Sequence, residues 1–109
     1  ILRFQSQGTI KSKLDERGDV EVNVVAVDDV INDKVTFIKM DIEGSELKAL
    51  QGAKNTIRKY KPNLAICIYH KLEDIIDIPD YLHFLVPEYK FYIRHYSMNS
   101  AETVLYAVI

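Results

Sequence analysis

A short apolar run that ends in carboxylates and restarts at a glycine constrains this chain more than any other feature. The stretch from Val35 to Leu50 reads VTFIKMDIEGSELKAL. It predicts a β-strand over Val35–Met40, an acidic pair at its end (Asp41 and Glu43), a turn at Gly44, and a helix from Ser45 to Tyr60. Val35, Phe37 and Ile38 place apolar groups on both faces of the strand, the pattern of a parallel strand covered by helices on each side. In the helix, Leu47, Leu50, Ala53, Ile57 and Tyr60 recur at three- and four-residue steps and form one core-facing stripe. Ser45 is a candidate N-cap, Glu46 adds negative charge to the first turn, and Gly52 is a place for a kink or a split. Lys59 and Lys61 suit the carboxyl-terminal end of the helix dipole, and Pro62 stops the helix. A second apolar strand, Asn63–Tyr69, leads into His70. Strand, helix and strand in this order predict a parallel βαβ unit, and ligand sites in such sheets lie outside the carboxyl ends of the strands.

The remainder of the chain is read around this unit. Residues 1–27 predict β-structure: Ile1–Phe4 reads as a strand end broken at Gly8, Thr9–Leu14 and Val20–Val27 flank the polar turn Asp15–Asp19 and together read as a hairpin, and the alternation Val20, Val22, Val24 marks one apolar face. Asp28 or Asp29 then caps a single helical turn, Val30–Asn32. Leu72–Ile78 reads as an acidic loop and Pro79–Leu85 as a helix with Pro79 in its first turn and Tyr81, Leu82 and Leu85 inward. Pro87–Tyr89 turns the chain into a strand, Lys90–Tyr96. The loop Ser97–Ala101 is short enough to favour antiparallel pairing with the last strand, Glu102–Ile109. The fold class is α/β.

Composition closes off several functions. A hydrophobic content of 48% supports a packed core, and a net charge of −2 with both signs interspersed leaves no basic field for nucleic acid. No apolar run approaches the roughly 20 residues of a membrane span, so no membrane partner is expected and a cytoplasmic location is. The lone Cys67 cannot form an internal disulfide and reads as a small core residue. The chain begins at Ile1 without methionine, and strand-like ends lead us to expect an excised piece of a larger domain.

Chemistry concentrates at the strand ends. If strand geometry persists through Glu43, the Asp41 and Glu43 carboxylates point the same way. Such a pair can act as a base, hold a cation or accept ligand hydrogen bonds. His70 ends the neighbouring strand and can reach the same rim, where an imidazole exchanges protons near neutral pH. Tyr69, Arg94 and His95 are candidates for the substrate side. Because His70, His83 and His95 share no metal-ligand spacing, no metal is expected. Gly44 alone is no phosphate loop, since neither GxGxxG nor GxxxxGK[ST] occurs in the chain.

The segment VTFIKMDIEGSELKALQGA resembles the FkbM-type methyltransferases, a family of S-adenosylmethionine-dependent enzymes. The resemblance extends through Val27–Ile31, PNLAICIYH and YIRHYSMNSAETVLYAVI, covering about residues 20–109, with DIEGSE its most specific part. It implies a Rossmann-like methyltransferase sheet in which Val35–Met40, Asn63–Tyr69, Lys90–Tyr96 and Glu102–Ile109 are strands four to seven, the last antiparallel. It also implies that the chain is the C-terminal part of a single methyltransferase domain, with the glycine-rich cofactor loop upstream, and is inactive alone. By this resemblance the cofactor is S-adenosylmethionine, bound in part by Asp41, Glu43 and Gly44. Asp41 and His70 are the expected catalytic groups for O-methylation of a small metabolite or glycan. Two other classes are weighed: a non-catalytic α/β binding module that dimerises through an exposed sheet edge, and a metal-dependent phosphodiesterase built on Asp41 with Glu46 and Lys48.

Overall fold

The computed structural model describes residues 2–5, 13–14, 20–22, 24–98 and 102–109. The amino-terminal strands β1 (Leu2–Gln5), β2 (Lys13–Leu14) and β3 (Val20–Val22) form a three-stranded antiparallel sheet in the order β2-β1-β3. This corrects the expected hairpin. Among the described residues, the segments on either side of residues 15–19 each pair with β1, one on each of its edges, and not with each other. The turn at 15–19 lies outside the described residues.

The expected α/β architecture is present beyond residue 24. A four-stranded, partly parallel open sheet has the order β4-β5-β7-β6, with β4 (Phe37–Met40), β5 (Asn63–Cys67), β6 (Lys90–His95) and β7 (Thr103–Val108). β4 and β5 are parallel, with Ile38 opposite Leu64 and Met40 opposite Ile66. β7 runs antiparallel to both β5 and β6. The carboxyl ends of β4, β5 and β6 therefore share one rim.

Helices bury one face of this sheet. Met40, Leu64, Ile66, Ile68, Leu105 and Ala107 alternate onto that face and pack with the helical Leu50, Ala53, Ile57, Ile78 and Leu82. The opposite face carries Phe37, Lys39, Ala65, Cys67, Val104 and Tyr106, and Phe37 remains 57% exposed. The expectation that β4 is covered on both faces is thus not met among the described residues. β4 is an edge strand, and its exposure alternates along FIKM.

The long helix is split, as Gly52 allows, into α2 (Glu46–Gln51) and α3 (Lys54–Tyr60). A single turn, α1 (Val27–Val30), docks at the break: Asp28 N–H donates to the Gly52 carbonyl at 2.9 Å, and a Cβ on Gly52 would lie 3.2 Å from Ala26 Cβ. α1 starts earlier than expected, and Asp28 caps a different helix. Its carboxylate accepts from the Asn55 and Thr56 N–H groups, each at 2.9 Å, and from the Thr56 hydroxyl at 2.8 Å. Ala53, at the N-cap of α3, has no side-chain oxygen for that task. Tyr60 ends α3, Lys61 takes a left-handed φ of 47°, and Pro62 follows. The last helix, α4 (Asp74–Leu85), begins five residues before the expected start and contains Pro79 in its interior. Burial of Asp74 and Ile78 against the core extends it backwards, while Leu82 and Leu85 are buried as expected and Tyr81 packs at their margin.

Candidate functional site

Parallel pairing of β4 and β5 carries Asp41 and His70 past the same end of the sheet. The His70 Nε2 atom lies 3.5 Å from Asp41 Oδ1 and 3.3 Å from Glu43 Oε2. Glu43 does not arrive there by strand geometry. β4 stops at Met40, and Glu43 and Gly44 form a left-handed turn with φ of 57° and 96°. That turn swings the Glu43 carboxylate back towards the imidazole. The same turn places Gly44 under His70 and Lys71; a Cβ there would meet Lys71 Cε at 3.3 Å.

Glu46 organises the floor. Its side chain is fully buried. Its carboxylate accepts from the Ile42 N–H at 2.6 Å and from the Gly44 N–H at 3.0 Å, and its Oε2 lies 3.5 Å from His70 Nδ1. Sequence reasoning assigned Glu46 to the helix dipole and, in the phosphodiesterase reading, to a pair with Lys48, never to the floor beneath His70. The Ser45–Glu46 pair carries no local sign of burial, because the imidazole above it comes from another strand. Ser45 sits at the N-cap position without a side-chain capping bond. Asp74, also missed, is 2% exposed; burial first, then the Glu46 charge, push its carboxyl above the usual range, with Lys71 opposing.

Tyr69 stacks at a tilt on His70, ring centroids 4.0 Å apart, and its hydroxyl donates to Asp41 Oδ1 at 3.2 Å. Burial, reinforced by the Asp41 charge, pushes the phenol up to about 12, so Tyr69 stays a donor. Beside it opens a cavity of about 400 Å³ on the uncovered sheet face, lined by Phe37, Lys39, Asp41, Cys67, Tyr69, Tyr96 and Tyr106 among others. Tyr96 and Tyr106 join their hydroxyls across it. Cys67 is buried as expected, and burial, then Asp41, raise its thiol to about 11.

The other substrate-side candidates are farther off. β7 separates β6 from β5, so Arg94 and His95 stand roughly 10 Å across the sheet from the β5 rim. Arg94 pairs with Val104, a cavity-lining position, whereas His95 Nδ1 contacts the Thr103 hydroxyl at 2.8 Å. Glu46 and Lys48 do not form an acid–lysine pair at the rim, since Glu46 is buried and Lys48 exposed. No described helix is long and apolar enough to cross a membrane.

A carboxylate and imidazole rim at the carboxyl ends of parallel strands, beside an aromatic cavity, stands where open α/β sheets bind ligands. The Methyltransferase FkbM domain family matches residues 2–93 of the chain. A crystal structure of Methyltransferase FkbM from Methylobacillus flagellatus KT is 46% identical, with a TM-score of 0.73, over 76% of this chain and 22% of that one. The chain thus spans about a fifth of the length of that protein. No curated protein matches the chain. The chain belongs to the FkbM methyltransferase family.

Proposed function

We propose that the chain contributes the acceptor-side rim of an S-adenosylmethionine-dependent O-methyltransferase, acting on a hydroxyl of a small metabolite or glycan. The observation that carries this reading is the Asp41 carboxylate, which stands at the end of β4, lines the cavity, accepts from the Tyr69 hydroxyl and faces His70 Nε2 at 3.5 Å. The order β4-β5-β7-β6 with an antiparallel β7 supports a Rossmann-like methyltransferase sheet with these as its fourth to seventh strands. The residues present fit a sulfonium cofactor in part: Asp41 and Glu43 supply negative charge beside aromatic walls. When bound, that cofactor supplies an already electrophilic methyl group. Asp41 Oδ2 is assigned to the acceptor hydroxyl, whose proton it accepts while Tyr69 fixes Oδ1. His70 faces both acids across the rim, and the cavity walls align the acceptor, the source of most of the available rate gain. Gly44 serves through its turn, since its N–H is given to Glu46. With no glycine-rich phosphate loop in the sequence, tight cofactor binding and turnover are assigned to more of the protein than these 109 residues.

The test is methyl transfer from labelled cofactor by the active protein carrying Asp41→Asn. Loss of the base lowers the rate by about 100- to 10,000-fold with the fold intact. Undiminished transfer removes Asp41 from the mechanism.

A further inference from the structure

We infer that Asp41, Glu43 and His70 form a binding site for a divalent cation of the first transition row. The three residues offer two carboxylate oxygens and one imidazole nitrogen, all within 4.8 Å of one another. The sequence allowed the acidic pair a cation, but histidine spacing argued against a metal; the three ligands meet because His70 follows β5 and Glu43 sits on a left-handed turn.

The imidazole makes the case beyond the acidic pair. The His70 side chain is only 10% exposed, and neither ring nitrogen has a hydrogen-bond partner. A buried polar atom left in that state costs free energy, and native structures rarely keep one without a ligand or water to satisfy it. Nε2 is aimed between the two acids at 3.5 and 3.3 Å. Those distances are long and poorly aligned for hydrogen bonds. They match the edges of a coordination shell: bonds of ~2.1 Å put neighbouring donors ~3.0 Å apart in an octahedron and ~3.4 Å apart in a tetrahedron.

The surrounding residues are those a metal site needs. A metal-bound histidine characteristically turns its other nitrogen to a carboxylate, which fixes the tautomer. Here Nδ1 faces Glu46 at 3.5 Å, and Glu46 is itself anchored by two backbone N–H groups. The charge also matches. Asp41, Glu43 and Glu46 surround one imidazole, so three carboxylates face a ring that carries at most one positive charge. Asp41 and Glu43 stay 46% and 38% exposed, which leaves a route for the ion and positions for water. Two hard oxygens with one imidazole suit manganese, iron or zinc better than calcium. Because Asp41 also lines the cavity, an ion held by it would lie at the cavity's edge.

The inference shares residues with the methyl-transfer reading, but it is tested without methyl donor or acceptor, so either can fail alone. Manganese(II) is titrated into the protein and free ion is followed by electron paramagnetic resonance, with circular dichroism checking the fold of each variant. Saturable binding of one ion is expected. Asp41→Asn and Glu43→Gln should each weaken it at least about tenfold, and Glu46→Gln by about 10- to 100-fold through loss of orientation. Asp80→Asn, an exposed acid on α4, should leave it unchanged. Glu43 lies on an exposed turn, so its variant stays informative if changes at the buried positions perturb folding. Absence of saturable binding, or binding indifferent to Glu43→Gln and Asp41→Asn, overturns the proposal.

Discussion

Glu43 holds a left-handed φ of 57° that a glycine would adopt freely. An L-residue in that region costs roughly 1–2 kcal/mol, partly offset by the greater chain entropy a glycine would lose. Nothing in local packing requires a glutamate here, since its side chain is 38% exposed. What it does is meet His70 beside Asp41, and strain retained at a position of this kind belongs with function. Glu43→Gly should therefore raise stability by about 0.5–1 kcal/mol, seen as a higher urea midpoint with unchanged slope. The same change should weaken manganese binding. A loss of stability would show that the Glu43 carboxylate supports the fold. The meeting of Asp41 with His70 was legible in the sequence, because two parallel strands must end together. The arrival of Glu43 was expected from period-two alternation, and it is a turn that brings it there.

At the scale of elements, the cap of α3 crosses the chain. Asp28 on α1 satisfies the first N–H groups of a helix that begins 26 residues later, at Lys54. Asp28→Ala should destabilise the protein by about 1 kcal/mol, within the usual 0.5–2 kcal/mol of a lost cap. Burial acts to raise the Asp28 carboxyl, but the hydrogen bonds from Asn55 and Thr56 outweigh it and hold the group below its ordinary value. A depressed folded-state value gives stability that is complete above the unfolded value, about 3.9, and is lost as pH falls through the lower folded one. The gap in urea stability between the two proteins should be constant near neutral pH and shrink below about pH 4. A gap that widens in acid would mean that the carboxylate does not carry the cap. The sequence marked Asp28 as a capping residue. It could not show which helix, because the partner is set by how α1 docks at Gly52.

For the whole molecule, the described helices load one face of the four-stranded sheet. Ile66 lies fully buried on that face between Met40 and Leu105, while Phe37 on the other is 57% exposed. Ile66→Ala should cost about 2–5 kcal/mol, and Phe37→Ala under about 1 kcal/mol, both by chemical denaturation. Equal costs would mean that the second face is also covered. The apolar residues of β4 suggested two buried faces. The described helices all pack on the face opposite Phe37, a choice beyond the reach of local pattern, so the Phe37 face stays open and becomes a cavity wall.

By itself the sequence determined the order of strands and helices, the parallel unit at the centre, the antiparallel ending and the family. Each follows from periodicity, helix stops and a short motif, all of which act between near neighbours in the chain. Only the tertiary structure decided that Glu46 lies beneath His70, that Glu43 turns back to it, and that β1 stands between the two strands expected to pair. These depend on contacts between segments far apart in sequence, where burial and charge are set by what packing brings alongside.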